Sequence, residues 1–189
     1  MSLRKNNDWS VNKIQPIAIK KIYNKVWRGA KIIELDNDTG DILKSILDRS
    51  GADKLIKFND GTIAFLGQRF RRYGNTKGND DFTLRVWNYK TGPNVEFKKM
   101  LSALENDRNI SPFYAYGHVN EKENGFERFR ILYFKNFLKL VVDRKLLPSE
   151  RRQTNSGDAE FLCWKFAHIP QSCLLFDSTK KRTLGSFFG

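Results

Sequence analysis

The stretch KLIKFNDGTIAFLGQRF, from Lys54 to Phe70, constrains the fold most. Apolar and polar residues alternate on both sides of Asn59-Asp60-Gly61. Asp-Gly supplies the left-handed backbone that a tight turn demands, so two antiparallel strands are expected here. Two registers are open. With Asp60 and Gly61 as the loop, Asn59 opposes Thr62 and Asp53 opposes Gln68. Their Cβ atoms would then lie about 4.5–5.5 Å apart on one face, close enough to share a cation or a water. With a three-residue turn from Asn59 to Gly61, Asp53 falls opposite Gly67, on the face of Arg69 and Arg71. That register spoils the Asp53–Gln68 pair and favours a phosphate clamp.

The flanking segments extend the pattern. Pro16 suits a first helical turn, and Ile17, Ile22, Tyr23, Val26 and Trp27 predict an amphipathic helix that ends before Gly29. AKIIEL reads as a strand. DNDTGDILKSILDRSG opens on capping residues, sets Ile42, Leu43, Ile46 and Leu47 on one face and stops at Gly51, which predicts a helix. Beyond the hairpin, FTLRVW is expected to continue the sheet, NVEFKKMLSALEND to form a helix, PFYAYGHV a strand and YFKNFLKLVVDRKL a further helix. PSERRQTNSGDAE reads as an exposed loop and FLCWKFAHI as a late strand. No internal repeat is read. This order predicts a mixed α/β domain with a central sheet and helices packed on it. A chain of 189 residues fits one domain, with a core from about residue 30 to 175 and a flexible basic tail from about 176 to 189.

Charge narrows the partners. The 34 Lys and Arg against 21 Asp and Glu leave +13 on a chain that is 13% aromatic, so the surplus belongs to a folded protein that attracts polyanions. Nucleic acid stands ahead of membrane, because no apolar run approaches the roughly 20 residues needed to span a bilayer. The opening MSLRKNNDWS lacks the apolar core of a signal peptide, so a soluble, intracellular, cytoplasmic protein is expected. Arg69, Arg71 and Arg72 are the expected phosphate contacts. Cys163, His168 and Cys173 lack a nearby fourth ligand for a structural zinc, and the two cysteines read as buried free thiols. His118 and His168 fall near the ends of strand-like segments, where core or surface roles are expected. Trp87, Tyr89 and Trp164 read as core.

An acidic helix leading into SGAD, a strand, an NDG hairpin, a strand ending GQRFR, a further strand and a helix together resemble the PD-(D/E)XK nuclease superfamily, over about Ile33 to Leu104. The resemblance implies a restriction-endonuclease-like core, a central mixed β-sheet with flanking helices. It also implies Mg²⁺ or Mn²⁺ held by Asp53, Gln68 and a helix acid at Asp41 or Asp48, and phosphodiester hydrolysis of nucleic acid, with DNA ahead of RNA. Asp53 and Gln68 match the family's metal-binding positions. Phe70 stands where the family has Lys, so Arg69 or Arg71 would have to supply that cation, although arginine is a poor proton acceptor. Asp41 also suits the start of a helix, whereas Asp48, near a helix end, opposes the dipole. On the resemblance alone a homodimer is implied, since relatives that cut duplexes often need two sites. The alternative is the same fold with its catalytic lysine lost, kept as a nucleic-acid-binding or assembly module.

Overall fold

The computed structural model describes residues 9–34, 52–75, 79–90, 92, 96–106, 110–154 and 157–180. The helix predicted over 36–51, with Asp41 and Asp48, lies outside the described residues. The chain opens with a helix, α1, built of four consecutive segments: Ser10–Ile14, Gln15–Ala18, Ile19–Tyr23 and Asn24–Val26. Strands β1 (Lys31–Glu34), β2 (Lys54–Lys57) and β3 (Ile63–Arg71) follow, then β4 (Asp81–Asn88), helix α2 (Glu96–Glu105), β5 (Phe113–Val119) and β6 (Phe126–Tyr133). Helix α3 (Phe134–Val142), β7 (Glu150–Gln153), β8 (Ala159–Lys165) and β9 (Leu174–Asp177) complete it. The protein is thus α/β, with a mixed central sheet in the order β1-β2-β3-β5-β6-β9 and helices packed against it. Among the described residues of this sheet only β3 and β5 run parallel, and a parallel neighbour requires a crossover. Here the crossover consists of β4 and α2.

β4 does not continue the central sheet as the sequence suggests. It pairs with β8 in a second, three-stranded antiparallel sheet ordered β4-β8-β7. Phe82 explains the departure: it is fully buried among Tyr114, Phe137 and Trp164, with ring centroids 5.1–6.3 Å away, which places β4 over the central sheet and not at its edge. Two apolar layers result. One face of the central sheet packs on α1 through Ile56, Leu66, Phe70 and Phe129, and the other packs on β4, β8, α2 and α3. Burying each large side chain contributes about 1.5–3 kcal/mol. The packed core begins at Ile14, well before residue 30, because the apolar stripe of α1 is buried. Ordered pairing runs to Asp177, past the expected start of the tail.

The β2–β3 turn takes the three-residue form. Phe58 N donates to Thr62 O (2.9 Å), Gly61 N donates to Phe58 O (3.0 Å), and Lys54 faces Leu66. Gly61 alone of the turn residues has positive φ (+85°), whereas a two-residue turn of the Asp-Gly kind needs it at both central positions. Asp60 Oδ1 instead accepts the Thr62 N–H at 2.9 Å. The opposed Asp53–Gln68 pair of the first register is therefore corrected: one step beyond Lys54–Leu66, Asp53 stands abreast of Gly67. Gly29 (φ +77°) closes α1 against this same turn, where an added Cβ would lie 2.5 Å from Asn59 Nδ2. Among the described residues no helix is long and apolar enough to cross a membrane.

Candidate functional site

Asp53 lies just ahead of β2. Its N–H donates to Leu66 O (2.9 Å), and its Oδ2 accepts the Gln68 N–H (2.6 Å), so the carboxylate takes the place of a ladder carbonyl where β2 has ended. The Gln68 side chain points to the α1 face, where its Oε1 accepts the hydroxyl of fully buried Tyr23 at 3.0 Å. Burial, and then the negative charge of Asp53, hold the Tyr23 hydroxyl well above the usual phenol range. Phe70, at the family's lysine position, is packed between Phe126 and Phe129 with centroids 5.6 and 6.3 Å away. Among the described residues this corner offers one carboxylate and one amide oxygen, and both already accept hydrogen bonds. Asp41 and Asp48, the other acids that the resemblance assigns to a metal, lie outside the described residues.

The arginines of β3 divide. Arg69 and Arg71 point away from α1, while Arg72 lies over the Trp9 ring of the α1 side at 4.4 Å. Across the sheet, Arg71, His118 and Arg128 form one row of directly paired residues, and Arg69, Tyr116, Arg130 and Asp177 form the next. The following row is Gly67, Tyr114 and Leu132. This face therefore passes from apolar to cationic toward the carboxyl ends of the parallel strands β3 and β5, where side chains of β4 and β8 pack on it. The Arg-Phe-Arg tripeptide occurs twice in the chain, at 69–71 and 128–130. Each copy buries its phenylalanine toward α1 and sets both arginines on the opposite face.

Neighbouring groups hold these arginines in place. Arg71 Nη1 donates to Thr83 Oγ1 (2.9 Å), whose hydroxyl lies 2.8 Å from Tyr116 OH. Arg130 grips Asp80 through both terminal nitrogens (2.6 and 3.0 Å), its Nε lies 3.1 Å from Asp177 Oδ2, and its guanidinium stacks 4.1 Å over the Phe166 ring. Arg128 Nη1 reaches the same Asp80 at 3.5 Å. Arg69 lies 5.0 Å over the Phe161 ring. Between the arginines sits His118, 1% exposed, with neither ring nitrogen hydrogen-bonded. Burial first, and then the positive charge of Arg128, push its imidazole down to about 4.

Beside this face opens a cleft of about 230 Å³ lined by Asp80, Asp81, Glu150, Arg152, Cys163 and Lys165. Ligand atoms of Asp81, Glu150 and Cys163 lie within 4.8 Å of one another. Arg152 already compensates their charge, donating to Asp81 Oδ2 at 2.8 Å and to Glu150. Burial pushes the Cys163 thiol up to about 11, so it is held protonated. Both cysteines are free and buried, as expected. Trp164 is buried as expected, whereas Tyr89 is 76% exposed at the end of β4 and is not core. His168 is exposed, with its Nδ1 3.5 Å from Ser149 Oγ.

No family model matches the chain, and neither does any of the curated proteins or solved structures compared with it. Geometry alone therefore carries the site. It brings Arg69 and Arg71 together with Arg128, Arg130, His118 and Asp80, none of the last four being expected functional residues. The repeated Arg-Phe-Arg was the available signal. Its second copy lies in a segment, Phe126–Tyr133, whose charged residues hide the strand pattern.

Proposed function

We propose that the chain is a nucleic-acid-binding module on a nuclease-like α/β fold, with DNA ahead of RNA, and that its Asp53–Gln68 corner serves folding and not hydrolysis. The observation that carries this reading is the pair of Arg-Phe-Arg strands, which sets four arginines on one face at the carboxyl ends of β3 and β5. The surplus of +13 supplies the wider attraction. Phosphate oxygens are the natural partners of such arginines, because guanidinium forks match them in geometry and charge. The hydrogen-bonding of Asp53 and Gln68 and the burial of Phe70 argue against water activation there.

Binding of a fluorescent oligonucleotide, followed against salt, tests the reading. Affinity should fall steeply as salt rises, since counterions are released on contact. Arg69→Ala combined with Arg71→Ala should weaken binding at least about tenfold, at roughly 1–2 kcal/mol for each lost phosphate contact. Asp53→Ala should leave binding within about twofold, because affinity arises from the cations. Failure to bind any DNA or RNA at low salt overturns the reading. Divalent-metal-dependent cleavage that disappears in Asp53→Ala replaces it with a metal-dependent nuclease.

A further inference from the structure

We infer that the row Arg71–His118–Arg128 is an oxyanion subsite for a phosphate group, in which the Asp80 carboxylate stands as an internal placeholder that the ligand displaces. The inference rests on the nucleic-acid reading and gives it a defined point of contact.

Four features point to a ligand. His118 is buried to 1% exposure with both ring nitrogens unpartnered, and an unmade hydrogen bond at a buried polar group is costly enough to call for an explanation. Its two neighbours in the row are arginines, one from each flanking strand. The hydrogen bonds of Arg71 go to the hydroxyls of Thr83 and Tyr116, and among the described residues it has no carboxylate partner. The fourth feature is Asp80. Its side chain is 41% exposed, yet it is held by both Arg130 and Arg128. A carboxylate bridging two arginines occupies the position that a phosphate oxygen pair would take, and the exposure of Asp80 gives the exchange a path from solvent.

A phosphate in that position sets an acceptor oxygen beside the imidazole. The charged groups facing His118 are Arg71 from β3, Arg128 and Arg130 from β6, and Asp80 from the segment before β4. Three cations against one anion disfavour the imidazolium, whereas a singly charged phosphate in direct contact with the ring favours it by accepting a hydrogen bond from the charged form. The His118 nitrogen that faces the phosphate then donates to it, and that orphaned atom gains a partner.

The test uses the full chain, whose two histidines make the imidazole signals separable by NMR. Inorganic phosphate is the first probe and a short oligonucleotide the second. Saturating phosphate should raise the His118 titration midpoint by about one unit or more, a shift of the size that a neighbouring charge produces. Asp80→Asn should strengthen phosphate binding roughly three- to tenfold, as expected for removing one partly exposed competing charge. A His118 midpoint unmoved by phosphate in the native protein overturns the subsite without recourse to any variant. An oligonucleotide that binds while His118 stays unmoved also overturns the subsite and leaves the nucleic-acid reading standing. Phosphate that shifts His118 where no oligonucleotide binds supports the subsite and removes the nucleic-acid reading.

Discussion

His118 carries a cost that a residue of its type seldom bears: it is sealed among arginines with no hydrogen bond to offset the loss of water. Its folded value of about 4 lies below the ordinary 6.5, so as pH falls the unfolded chain takes up the proton first. Above about pH 6.5 the residue is neutral in both states and contributes no pH dependence. Between about 6.5 and 4 stability should decline by about 3 kcal/mol on its account, to the order of magnitude. Urea denaturation in phosphate-free buffer at pH 7.5 and pH 4.5 checks this. The native protein should lose more stability over that interval than His118→Gln, which cannot titrate. Equal losses would show that the imidazole is protonated normally in the folded state. The cluster of buried Asp81 and Cys163 with exposed Glu150 needs no such proton, because the Arg152 guanidinium supplies its positive charge at every relevant pH.

At the scale of elements, the two Arg-Phe-Arg strands meet through their phenylalanines as well as their arginines. Phe70 and Phe129 lie 6.3 Å apart, with Phe126 against both, and the space for them comes from Gly117 on the strand between. A Cβ at Gly117 would fall 2.7 Å from Phe126 Cε1 and 3.0 Å from Phe129 Cδ2. Gly117→Ala should therefore destabilise the protein by about 1–3 kcal/mol, the usual penalty of overpacking, seen as a lowered melting temperature. It should also loosen His118 next to it. The same elements show what periodicity can and cannot reveal. β1 to β5, α2 and α3 were legible because their apolar residues repeat at strand or helix spacing. β6 was not: Arg128 and Arg130 stand on its buried face, where alternation calls for apolar residues, and the ion pairs of Arg130 with Asp80 and Asp177 that permit this come from distant segments. β7, Glu-Arg-Arg-Gln, is wholly polar and is held by side chains on other strands, with Arg151 meeting Glu160 and Arg152 meeting Asp81. At the candidate site, Arg69 and Arg71 were legible from charge, whereas Asp80 gains its meaning only when β6 lies beside β5. The choice between hairpin registers also lay beyond the sequence, since Asn-Asp-Gly serves both turns.

For the whole molecule, the crossover between β3 and β5 ties the order of folding to the far end of the chain. β4 sits inside that crossover, and its partner β8 begins at Ala159, more than 70 residues beyond the end of β4 at Asn88. Until β8 exists, Phe82 and Leu84 lack one wall of their layer, and the parallel pairing of β3 with β5 has no finished connection to stabilise it. Contacts this distant in sequence are closed late and slowly. Fragments ending at residue 150 should therefore give poorly dispersed NMR spectra and bind hydrophobic dyes, while the full chain gives one cooperative transition. A native-like spectrum from such a fragment would refute the coupling. On a ribosome the arginine face would be assembled only after β8 has emerged. Newly made protein would thus pass through synthesis with its cations dispersed along an unfolded segment, and bring Arg69, Arg71, Arg128 and Arg130 together in a single late step.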